Sequence, residues 1–277
     1  MSIVEAWYQD LQDTLKSTGS LLVADVRVGV FYTAVQLDTG HAGVAFTPRD
    51  LRDTVCCPRS AAEAPPAGRM VGRNAWELAA FAFSPVPLRR AVGIATLNAL
   101  SALAMDSYPP QDVRVIPGMD ALEAAAVRPE DTVVLVGAFV PFIKALKGRV
   151  AALRIVDKHP EALKPNERPL WHPPDAAAEV LADAHVVIIT GSTLVEGGLD
   201  GLLAAARQAR RVVLAGPTAS PWPPTFFARG IHVLGGLHVH NPEGLLRIVG
   251  EGGSGYFFSE VAEKVCYLKP EPTPHPY

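Results

Sequence analysis

Residues 182–203 read ADAHVVIITGSTLVEGGLDGLL. A continuous branched run, Val186 to Ile189, gives way to small and hydroxylated residues, and then to Leu199, Leu202 and Leu203 at helical spacing. A strand that is apolar on both faces is one buried on both faces, and a helix directly after it is the crossover of a parallel sheet. The same grammar recurs on either side, in DTVVLVG (131–137), AALRIVD (151–157), RVVLAG (211–216) and GIHVLGG (230–236). GLDGLLAAARQA (198–209) and PEGLLRIVGEG (242–252) carry the clearest helical periods between or after them. Strands alternating with helices predict a doubly wound parallel sheet over residues 111–277.

The first 110 residues follow another pattern. Val4, Trp7, Tyr8, Leu11 and Leu15 mark one helical stripe within residues 1–17. The run LLVADVRVGVFYTAVQL (21–37), followed by HAGVAFTP (41–48), reads as a β-hairpin turning at Asp38-Thr39-Gly40. After an aperiodic stretch with Cys56-Cys57-Pro58 come two helical segments, NAWELAAFAF (74–83) and PLRRAVGIATLNALSALAM (87–105). This order is α+β, and YPPQD (108–112) breaks it, so a domain boundary is expected near residue 110. The tail KPEPTPHPY (269–277) reads as extended surface chain.

Composition narrows the classes. The 277 residues are 49% hydrophobic and 19% charged, and 25 basic against 28 acidic residues leave a net charge of −3. That balance exerts no global pull toward nucleic acid or anionic membrane. No apolar run has the length of a membrane span, and the first residues lack the basic-then-apolar order of a secretory leader. Three cysteines do not make a disulfide framework, so a cytoplasmic protein is expected. The 25 prolines and 23 glycines punctuate apolar runs, which points to short elements joined by rigid turns.

In a doubly wound sheet, ligands bind beyond the carboxyl ends of the strands. Gly137 follows the first run without a G-x-G-x-x-G fingerprint, which weighs against an ordinary NAD enzyme. Asp157 ends the second run, where an acid either accepts from a ribose diol or caps a turn. Thr190, Gly191, Ser192, Thr193 and Glu196 follow the third run; Gly216, Pro217 and Thr218 follow the fourth. Both loops read either as anion cradles or as capped turns. Thr33, Arg49, Tyr32 and Thr47 are candidate contributions from the first domain to a shared crevice. Asn98 lies in an apolar helix, where an inward amide needs a partner; a helix-surface position is the simpler reading. No G-x-S-x-G elbow, P-loop or kinase set is present.

Segments 182–203, 211–220 and 230–236, with the helix after Asn241-Pro242-Glu243, resemble the carboxyl-terminal domain of the putative heavy-metal chelation family, whose function is unknown. FYTAVQL (31–37), GVAFTPRD (43–50), GRNAWELA (72–79) and RRAVGIATLNAL (89–100) are similar to its amino-terminal domain. The resemblance implies an enolase-amino-terminal-like α+β domain followed by a Rossmann-like domain, with a site in the crevice between them. Gly191, Thr193, Gly216 and Pro217 match the family pattern. Glu196 stands where the family often has Asn, and Gly198 where it has Thr; the acid shifts preference toward a cation or a hydrogen-bond donor.

Adjacent Cys56 and Cys57 point apart in extended chain and make a weak pair. His238 and His240, two apart, face the same way on a strand, so both imidazoles are candidate metal ligands. His232 would share that face but for Gly235-Gly236, which reads as a break. The expected ligand is a small molecule, a transition metal or a metal complex. Expected partners exclude nucleic acid and membrane and include a second copy in a homodimer. Two further readings stay open: a group-transfer enzyme with a nucleoside-type cofactor at Asp157, and a non-catalytic dimeric partner protein.

Overall fold

The computed structural model describes residues 1–48 and 63–270. Helix α1 (Ile3–Thr14) opens with a capping box, in which Ser2 Oγ accepts from the Glu5 N–H at 3.2 Å and the Glu5 carboxylate accepts from the Ser2 N–H at 2.6 Å. Its stripe of Ile3, Trp7 and Leu11 is fully buried. Strands β1 (Val23–Val28), β2 (Tyr32–Leu37) and β3 (Ala42–Phe46) form an antiparallel sheet in that order. The run 21–37 is thus two strands rather than one arm of a single hairpin. It breaks at Gly29, whose N–H donates to Tyr32 O at 2.9 Å. A Cβ there would lie 2.2 Å from the Val249 carbonyl of the second unit.

Helix α2 (Ala75–Ala79) is capped by Asn74 and continues as a 3₁₀ turn over Ala80–Phe83. Helix α3 (Pro87–Ser107) begins on a proline, whose missing N–H costs nothing at that position. It lies across β2 and β3, and Gly43 lets strand and helix touch. A Cβ on Gly43 would stand 2.3 Å from both Ala95 O and Ala99 N.

The second unit holds β4 (Arg114–Pro117), α4 (Ala121–Ala124), β5 (Thr132–Val136), α5 (Val140–Leu146), β6 (Ala152–Val156), β7 (Trp171–His172), α6 (Ala177–Leu181) and β8 (Val186–Thr190). It continues with α7 (Thr193–Glu196), α8 (Leu199–Ala205), β9 (Arg211–Ala215), α9 (Pro223–Ala228), β10 (Val233–Val239), α10 (Pro242–Gly250) and β11 (Ala262–Leu268). The sheet order is β4-β11-β10-β9-β8-β5-β6-β7. Strands β5 to β10 pair in parallel. Taken in chain order, their arrangement is the Rossmann order 3-2-1-4-5-6, with its reversal between β5 and β8. The α+β unit followed by a Rossmann-like doubly wound sheet is the fold class that the sequence implies. Beyond the parallel strands, β11 inserts antiparallel between β10 and β4.

β10 runs unbroken through Gly235-Gly236, contrary to the reading of those glycines as a break. They serve close packing instead: a Cβ on Gly235 would meet Ala121 Cβ at 2.4 Å, and one on Gly236 would meet Ala219 O at 2.4 Å.

The two units share buried contacts. Trp7 stacks edge-on against Phe226 of the second unit with centroids 5.4 Å apart, and within its own unit its Nε1 donates to Ser101 Oγ at 2.9 Å. The Phe46 N–H donates to Thr218 Oγ1 at 2.9 Å, and Arg90 Nε donates to Val195 O at 2.6 Å. Among the described residues, no helix is long and apolar enough to cross a membrane.

Candidate functional site

At the β5–β8 reversal the loop positions are close-packed. Gly137 adopts φ +108°, and a Cβ on it would lie 3.0 Å from Thr190 Cβ. Thr190 O accepts from Thr193 Oγ1 at 2.7 Å, and Thr190 Oγ1 from the Ser192 N–H at 3.3 Å. Gly191 abuts the neighbouring loop, where a Cβ would stand 2.8 Å from Ala219 N. Both oxygens of Asp157 accept backbone N–H groups, from Ala138 at 2.7 Å and His159 at 2.8 Å. The Asp157 carboxylate thus ties the β5 loop to its own.

Glu196 forms an ion pair with Lys158 at 3.0 Å. Burial holds the nearby Arg90 guanidinium below its ordinary pKa, and the Glu196 charge opposes that shift. Gly216 (φ +111°) starts a turn closed by the Ala219 N–H to its carbonyl at 2.8 Å. Pro217 lies by Gly255, where a Cβ would be 3.4 Å from its ring. Thr33 is fully buried and pairs with Thr47 at 2.9 Å between hydroxyls. Arg49, Cys56 and Cys57 lie outside the described residues. The loop hydroxyls and Asp157 are largely spent on holding loops and units together.

An open volume lies on a different flank. A groove of about 580 Å³ separates the first unit's β2–β3 turn and the carboxyl-terminal half of α3 from the face formed by β10, β11 and β4. Its apolar lining includes Met105 and Ala102 on one side and Val115, Val265 and Tyr267 on the other. Burial pushes the Tyr267 phenol up to about 12, so it stays protonated. The polar lining includes His41, Asp106, His238, His240, Glu263 and Asn98, and among the described residues no lysine or arginine lines the groove.

β-sheet register explains part of this grouping. His238 lies directly across from Glu263, and Gly236 from Val265, so His238 and Glu263 share the groove-facing side. His240 follows two residues on and also lines the groove. From the first unit, His41 Nε2 lies 3.6 Å from Asp106 Oδ2 and its Nδ1 bonds Thr39 Oγ1 at 3.0 Å. His232 is engaged elsewhere, with Nδ1 accepting from the Val212 N–H at 3.0 Å. Among the described residues, no three His, Cys, Asp or Glu side chains converge as a ready-made metal centre.

Asn98 is 1% exposed, which overturns the helix-surface reading. Its Nδ2 donates to Val44 O and Thr218 O, each at 2.9 Å, bridging the two units. Its Oδ1 is buried without a hydrogen-bond partner. Turning the amide over would set its oxygen against two carbonyls, so the orientation is fixed by the network. A buried acceptor left unpaired costs about 1–3 kcal/mol. Glu263 and Asp106 carried no linear signal; they join the site only through strand pairing and the packing of α3.

A family model described as "Putative heavy-metal chelation" (DUF364) matches residues 120–268, and a second with the same description (DUF4213) matches residues 8–101. A DUF364 protein of unknown function from Pyrococcus horikoshii is 19% identical, with a TM-score of 0.77 over 96% of this chain and 99% of that one. One from Desulfitobacterium hafniense DCB-2 is also 19% identical, with a TM-score of 0.74 over 96% of this chain and 100% of that one. At this identity the likeness shows the fold. No curated protein matches the chain.

Proposed function

This chain belongs to the DUF364 family, described as "Putative heavy-metal chelation", and from that premise we propose that it binds a metal or metal complex in the groove between its two units. The observation that carries this reading is the groove itself: about 580 Å³ of space bordered by three imidazoles and two carboxylates. Imidazole and carboxylate together suit borderline transition metals. Because no three His, Cys, Asp or Glu side chains converge among the described residues, an ion held here keeps other ligands of its own, either water or an organic chelator. Handling and transfer suit such a site better than permanent structural retention, which favours a closed set of four protein ligands.

A group-transfer reading with a nucleoside cofactor at Asp157 has less support, since both carboxylate oxygens already accept backbone N–H groups. The test is calorimetric titration of the full chain with Zn²⁺ and Ni²⁺, beside elemental analysis of protein from its own host. Replacing both His238 and His240 with Ala should weaken binding at least tenfold. Metal affinity unmoved by that double substitution would remove the groove as the site.

A further inference from the structure

Resting on that reading of the groove, we infer that its ligand is a cationic hydrogen-bond donor: an ammonium-bearing organic molecule, or a metal complex whose bound ammine or water groups carry the N–H or O–H. Three observations converge. Asn98 Oδ1 is a fixed acceptor, because its amide nitrogen is pinned between Val44 O and Thr218 O, and it lacks a donor of its own. The two serine hydroxyls that line the groove are already engaged. Ser101 Oγ accepts from Trp7 Nε1 and donates to Leu97 O, while Ser220 Oγ bonds both the N–H and the carbonyl of Leu237.

The charge points the same way. Asp106 and Glu263 stand on opposite sides of the groove, and no described lysine or arginine lines it to receive an anion. One fixed acceptor and two carboxylates, with no described lysine or arginine set against them, favour a donor-bearing cation over a phosphate-like or carboxylate ligand.

The experiment is calorimetry on the full chain with four probes: hexaamminecobalt(III), spermidine, zinc chloride and inorganic phosphate. Hexaamminecobalt(III) does not exchange its ligands, so it reports donor recognition without imidazole coordination. Binding by it and not by spermidine assigns the metal-complex source; the reverse assigns the organic ammonium; both outcomes uphold the inference. Ala102→Trp, which narrows the groove from a part-exposed helix position, should weaken the bound probe at least tenfold, and Glu263→Gln about threefold. Asn98→Leu should abolish binding, and it is read beside its melting temperature because the change also breaks two inter-unit hydrogen bonds. Zinc bound through His238 and His240 with neither cationic probe bound would overturn the inference and leave the metal reading standing. Phosphate bound in preference to the cations overturns it as well, and silence from all four probes overturns both.

Discussion

His232 is half-buried, and its Nδ1 accepts a backbone N–H, so the ring is held neutral by its surroundings. Burial, then the charges of Lys269 and Arg211, lowers its pKa below the ordinary imidazole value. The unfolded chain therefore takes up this proton first as the pH falls. Stability from neutral His232 is complete above the ordinary imidazole range and is lost as the pH drops toward the lowered folded value. The urea midpoint should thus decline between about pH 7 and pH 5, and His232→Gln should flatten that decline. An identical slope in the variant would show that other groups set it. Two histidines six residues apart, His232 just before β10 and His238 within it, thus have different fates, because one meets a neighbouring strand end and the other an open groove. Spacing alone separates neither.

Gly43 sets the distance between β3 and α3, and with it one wall of the groove. Gly43→Ala should cost about 1–3 kcal/mol in urea denaturation, because the new Cβ meets helix backbone rather than a flexible side chain. A variant as stable as the parent would mean that α3 shifts freely. The five parallel runs were legible because strands covered on both faces must be apolar throughout, as Val186 to Ile189 are. The sixth parallel strand, β7, is only Trp171-His172 and was not, and neither were β4 and β11. Their exposed positions, Arg114, Val115, Glu263 and Lys264, dilute the pattern, and β4 is only RVIP. Missing those strands also hid the groove, since β11 supplies Glu263, Val265 and Tyr267. The loops after β8 and β9 looked like cradles because small and hydroxyl residues serve turn closure and ligand capture equally well. Only the partners, such as Phe46 N–H on Thr218, tell the two uses apart.

The two units are joined by a continuous buried cluster that runs from Trp7 and Leu100 to Phe226 and Leu234. Such a pair should melt as one. Scanning calorimetry should give a single transition with equal calorimetric and van't Hoff enthalpies, and Trp7→Ala should lower stability by about 3–5 kcal/mol without splitting it. Two resolved transitions would mean that the shared cluster is energetically idle. Residues 111–277 alone should aggregate, because Phe226 and Tyr267 would face water.

The antiparallel insertion of β11 between β10 and β4 has a consequence for biosynthesis. β4 leaves the ribosome before any other strand of the large sheet, yet its hydrogen-bonding partner, β11, is the last of that sheet's described strands in chain order. Until residues 262–268 emerge, β4 waits unpaired while the whole parallel sheet assembles beside it. The face of the groove made by β10, β11 and β4 is therefore the final part of the large sheet to close, and a nascent chain halted before that point holds its helices and parallel strands but lacks that wall of the groove.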